Sequence, residues 1–110
     1  MKFINLTPHD ITVILPDTTT ETNRVRTFHR DGTVARVSQN AVCGFTVDDI
    51  NISTAFFGPV VGLPERDAST LFIVSAMVKS ASTGRTDLVS PGELVRNDAG
   101  VVIGCKGFFC

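Results

Sequence analysis

Leu71-Phe72-Ile73-Val74, continued by Ala76, Met77 and Val78, is the strongest apolar run in the chain, and it does not alternate. A strand with one wet face reads apolar and polar by turns. A run that is apolar at both parities belongs to a strand covered on both sides. The run therefore predicts a central strand, and the rest of residues 70–108 is read around it. A polar link over residues 79–86 leads to Leu88-Val89, and Ser90-Pro91-Gly92 marks a turn. Leu94-Val95-Arg96 and Val101-Val102-Ile103 flank Asn97-Asp98-Ala99-Gly100, a hairpin signal in which Gly100 suits a left-handed position. Leu71, Ile73, Val74, Val102 and Ile103 are the expected core residues.

The N-terminal part reads the same way. Phe3 to Leu6 is a strand, Thr7-Pro8-His9-Asp10 a turn, and Ile11 to Leu15 a second, β-branched strand. These two strands form either a hairpin or one strand broken at Pro8. Residues 16–23 are a polar loop without a burial signal. Arg24 to Phe28 and Thr33 to Val37 flank His29-Arg30-Asp31-Gly32, and Asp31-Gly32 predicts a second hairpin. Residues 39–49 are weakly patterned, with a short strand over residues 41–45. Residues 50–57 favour strand until Gly58-Pro59 breaks it. The best helix window, residues 75–82, allows one or two turns. About eight short strands with regular turns predict an all-β fold, or a mostly β fold with one short helix. The expected architecture is a small sandwich or partly open barrel in a single domain, residues 1–110.

Composition narrows the function classes. Ten Lys and Arg stand against eleven Asp and Glu, a net charge of −1, so the basic excess of a nucleic-acid binder is missing. Arg24, Arg26, Arg30 and Arg36 form one local basic stretch, read first as a solvated hairpin. Phe supplies all eight aromatic residues, which argues against a Tyr- or Trp-built stacking platform. No apolar run reaches the roughly 20 residues of a membrane span. Cys43, Cys105 and Cys110 match no zinc spacing, and an odd count without a signal peptide suggests reduced thiols in a cytosol.

No motif identifies a reaction. His9 and His29 have no local nucleophile signature, and Asp48-Asp49, which on a strand would point to opposite faces, read better as a helix-capping or loop pair. The nine glycines are single, so no phosphate loop is present. No catalytic residue, metal ligand or cofactor is assigned. The most promising polar stretch is residues 80–87, tied at both ends to core strands. There Arg85 offers a planar fork for an anion, with Asp87 and Ser80 beside it. Arg96, Arg36, Thr7 and His9 complete the expected ligand-binding set. The alternative for Arg85 is a surface pair with Asp87.

Asn5-Leu6-Thr7-Pro8-His9, Gly62-Leu63-Pro64-Glu65, Ile73-Val74-Ser75-Ala76, Arg85, Asp87-Leu88, Pro91-Gly92, Val95-Arg96 and Ile103-Gly104-Cys105 run in this order along the chain. In that pattern the chain resembles a family of small proteins encoded by bacteriophages and prophages, over all but residues 16–23 and 39–49. The resemblance implies an origin and a compartment, the bacterial host cytoplasm, and no activity. Three readings follow from it and from the residues. The first is an accessory or counter-defence protein that sequesters a small anionic, nucleotide-derived ligand without chemistry. The second is a structural or protein-interaction module, such as a minor virion or inhibitor protein. The third is a small hydrolase. A homo-oligomer is expected, because a small β fold leaves strand edges and this one has few lysines to guard them.

Overall fold

The computed structural model describes residues 1–15 and 24–110, and the expected polar loop over residues 16–23 lies outside them. In chain order the elements are β1 (Lys2–Asn5), β2 (Ile11–Leu15), β3 (Arg24–Phe28), β4 (Arg36–Val47), β5 (Ile50–Val61), β6 (Thr70–Ile73), α1 (Ala76–Ala81), β7 (Leu88–Pro91), β8 (Leu94–Arg96), β9 (Val102–Cys105) and β10 (Phe108–Phe109). The fold is mostly β with one short helix. Among the described residues the strands form three sheets rather than a closed barrel.

The non-alternating run lies where its pattern places it. β6 sits between β1 and β7, parallel to both, in a sheet ordered β1-β6-β7-β10. Phe72, Ile73 and Val74 are buried and Leu71 is half-buried. The parallel step from β6 to β7 requires a crossover. α1 supplies it in the predicted window: Ser75 caps its start, its hydroxyl accepting from the Val78 amide at 3.2 Å. Val78 then packs with Leu6, Ala35, Phe72, Val74 and Leu88 in the main core.

The second sheet is ordered β3-β2-β9-β8. The β8–β9 hairpin forms as predicted, with Gly100 at φ +79° and Asn97 Oδ1 accepting from the amides of Ala99 and Val101. Its core assignment does not hold. Val102 and Ile103 are 45 % and 47 % exposed, and Cys105 is the buried residue of β9. Among the described residues no layer covers the sheet there, so an apolar pair without alternation lies open.

Of the two readings of the N-terminal strands, the hairpin is excluded and the break near Pro8 stands: β1 and β2 lie in different sheets. One other pairing differs from the sequence reading. Asp31-Gly32 turns the chain without joining β3 to β4. β3 pairs along its whole length with β2, and the residues after it are held by β1 instead. The Asp31 amide donates to the Asn5 carbonyl, and the Ala35 amide to the Leu6 carbonyl, each at 2.9 Å. Long-range pairing has overridden a local turn signal.

The third sheet is β4 with β5 alone, each 12 residues long. At its root Val37, Val60 and Leu63 pack on the core. The chain closes there through Gly62, at φ +80°, whose Cα lies so near Val34 that a Cβ would stand 2.5 Å from the Val34 carbonyl oxygen. The molecule measures 57 × 39 × 22 Å with a radius of gyration of 17.4 Å. A compact domain of this length has about 13 Å.

Candidate functional site

The residues expected to bind a ligand are distributed over several places. Arg85 donates to Asp87 through Nε at 2.8 Å and Nη2 at 2.7 Å, a bidentate pair between side chains 20 % and 10 % exposed. The Arg85 hydrogen bonds hold the Asp87 carboxyl below its ordinary range, against the opposing effect of burial, and the same bonds raise the guanidinium. The planar fork is thus engaged within the loop. Beside it lies a cleft of about 470 Å³ lined by Arg66, Asp67, Thr70, Thr86 and Asp87, with Arg66 donating to the Thr86 hydroxyl. Ser80 is exposed on α1.

Thr7 and His9 belong to a different neighbourhood. Asn5, 2 % exposed, is its hub. Asn5 Nδ2 donates to the carbonyls of His9 and Phe28, both at 2.9 Å, and Asn5 Oδ1 accepts from the Thr7 amide at 3.0 Å. The buried Thr7 hydroxyl lies 2.7 Å from Asn5 Oδ1 and 2.9 Å from the His9 carbonyl. Thr7 therefore ties the turn together. The exposed His9 borders a mostly apolar groove of about 370 Å³ with Thr12, Pro91, Leu94 and Ile103. Next to it Asp10 accepts from the Arg30 amide at 2.8 Å and lies 3.2 Å from His29 Nδ1. These bonds, the amide first, lower the Asp10 carboxyl. Arg96 donates to the Gly100 carbonyl in the β8–β9 turn, and Arg36 stands at the root of β4. Among the described residues His9 lines the groove and Asp87 lines the cleft beside Arg66, and these two cavities share none of the seven. Among the described residues no group of three or more His, Cys, Asp or Glu is placed to hold a metal ion.

Sequence reasoning missed two features. The first is aromatic. Phe3, Phe28 and Phe108 pack with ring centroids 5.1–5.8 Å apart, and the Arg26 guanidinium lies 4.6 Å from the Phe28 centroid and 5.7 Å from that of Phe3. A cleft of about 200 Å³ opens among these side chains, Val13 and Leu15. Three phenylalanines, at positions 3, 28 and 108, give no local signal of such a cluster.

The second feature is the arm made by β4 and β5. Asp48 and Asp49 form its turn at φ 48° and 63°, the doubly left-handed geometry that lets a two-residue hairpin follow the twist of its strands. Residues paired across two strands share a face, and successive residues alternate between faces. The register Val47↔Ile50, Phe45↔Ile52, Val42↔Thr54 and Asn40↔Phe56 therefore gathers six large apolar side chains on one face. Val42, Phe45, Val47, Ile50, Ile52 and Phe56 are 40–63 % exposed. Ala41, Thr46, Asn51, Ser53 and Ala55 lie on the other face, with Phe57 towards the root, and there the Thr46 hydroxyl donates to Asn51 Oδ1 at 3.2 Å. This is the apolar-in, polar-out alternation of a sheet that covers something, and among the described residues nothing covers it. Residues 37–47 and 50–61 contain no charged side chain, so neither long edge carries the charges that usually guard an open strand.

No family model matches the chain, and neither a curated protein nor a solved structure matches it. Among the described residues no helix is long and apolar enough to cross a membrane.

Proposed function

We propose that the protein is a protein-interaction module that works by contact rather than chemistry, with the β4–β5 arm as its docking element. The observation that carries this reading is the amphipathic arm. Six large apolar side chains share one exposed face of a ribbon whose root, at Val37 and Val60, packs against the core. An isolated two-stranded hairpin is marginal in water, so an arm of this length calls for a cover on its apolar face. The resemblance to small bacteriophage proteins sets this activity in the cytoplasm of an infected bacterium. A photoreactive phenylalanine analogue at position 45 tests the reading in such cells. Crosslinks to protein, lost when Ile52→Asp is added, are the expected result. A chain that captures no protein, itself included, would overturn it.

A second reading is sequestration of a small anionic, nucleotide-derived ligand. It is favoured by the Arg26 guanidinium lying over Phe28 beside an open, apolar-walled cleft, the pairing of charge and aromatic surface that such a ligand needs. Its test is incubation of the protein with nucleotide mixtures, followed by chromatography of the solution before and after denaturation. Depletion with intact release supports it, and Arg26→Ala should abolish the depletion. An unchanged solution rejects it.

A further inference from the structure

We infer that the cover of the arm is the arm of a second copy of this chain, the two lying face to face and antiparallel about a two-fold axis, each tip over the partner's root. The inference rests on the reading of the arm as a docking element and names its occupant.

Charge layout is the first argument. The tip carries two acids, Asp48 and Asp49, and the root of β4 carries Arg36, while residues 37–47 and 50–61 carry none. A parallel pair would bring four carboxylates together at one end and two guanidiniums at the other. An antiparallel pair brings each acidic tip to a basic root. The ribbon thus complements itself in one orientation and opposes itself in the other. Length fits the same arrangement. Twelve strand residues span about 40 Å, so tip and root of two equal arms coincide when the arms overlap fully.

Area is the second argument. Six half-exposed Val, Ile and Phe side chains offer roughly 100 Å² each, so two arms bury roughly 1,200 Å² of apolar surface, the lower bound of a stable interface. A two-fold contact requires one patch to complement itself. A ribbon with an apolar centre and opposite charges at its two ends meets that requirement.

The test uses the full chain. Light scattering at about 10 μM should give twice the chain mass for the parent protein, and the monomer mass for Phe45→Asp/Ile52→Asp, with the far-UV spectrum of the body kept. A Cys43→Ser/Cys110→Ser background then allows orientation to be read. Chains carrying Arg36→Cys are mixed with chains carrying Asp49→Cys and oxidised gently. Disulfides between the two kinds of chain, with few between like chains, support the antiparallel pair. Disulfides mainly between like chains would overturn it in favour of a parallel pair. A monomer at about 100 μM would also overturn it. In that case the photocrosslinks of position 45 distinguish the two failures: adducts to another protein keep the docking element and change its partner, and no adducts reject both.

Discussion

Replacing Arg85 with Ala removes one half of a bidentate pair and leaves the other half in place. Asp87 is 8 % exposed, and its carboxylate would keep its charge at neutral pH without the two guanidinium bonds. Breaking a deeply buried pair this way costs about 3–5 kcal/mol, and losing hydrogen bonds to a charged group about 1.5–3 kcal/mol. Arg85 itself retains contact with water, so screening pulls the figure toward the lower range, about 2 kcal/mol. For a chain of this length that corresponds to a fall in Tm of about 8 °C. Arg85→Lys keeps charge but not the fork, and should lose about half as much. The sign with pH follows from the direction of the shift. The folded-state carboxyl lies below its ordinary value of 3.8, so the pair stabilises the fold above that value and its contribution fades as pH falls through the lower, folded-state value. The gap in Tm between parent and variant should therefore be full at pH 7 and shrink below pH 4. Thermal melts followed by far-UV circular dichroism, at fixed protein concentration, measure it. A loss under about 2 °C at pH 7, or a gap that persists unchanged in acid, would refute the assignment of Arg85 to structure.

Ile73→Ala at the fully buried end of β6 should cost about 2–5 kcal/mol in chemical denaturation; a loss below half a kcal/mol would misplace the core. Asn5→Ala leaves the buried Thr7 amide without its acceptor and takes one donor each from the His9 and Phe28 carbonyls, and should cost about 1–3 kcal/mol by the same measurement. Gly62→Ala forces a side chain into a left-handed residue and against the Val34 carbonyl, so it should lower Tm by several degrees, and an unchanged Tm would show that the root of the arm yields.

The central strand, the helix window and the β8–β9 hairpin were legible because each depends on residues within a few positions of one another. The Arg85–Asp87 pair was legible as an alternative for the same reason. The arm was not, and Gly44 explains why. The register shift between Cys43 and Phe45 inserts one residue into β4, so the outward apolar set changes from even positions, Val42, to odd ones, Phe45 and Val47. Read in sequence, a face that changes parity looks like no face at all. A second shift near Gly58-Pro59 hides the continuation of β5 in the same way, where a Gly-Pro pair reads as an end. The Asp31-Gly32 signal failed for the opposite reason: the turn is there, and the strand that should return from it is bound elsewhere. The clustering of Phe3, Phe28 and Phe108 depends on three sheet connections at once, which no local pattern encodes.

The closed root at Gly62 makes the arm an excursion whose length the body does not constrain. An insertion of two residues in each strand would lengthen the ribbon and keep its apolar face, whereas one residue in a single strand would turn that face over or add a bulge. Against an unrelated protein, every such change would need a matching change in another gene. In a two-fold pair both arms are written once, so a single insertion lengthens them together and the tips still meet the roots. An arm of this kind can grow or shrink over generations without its two partners ever falling out of step.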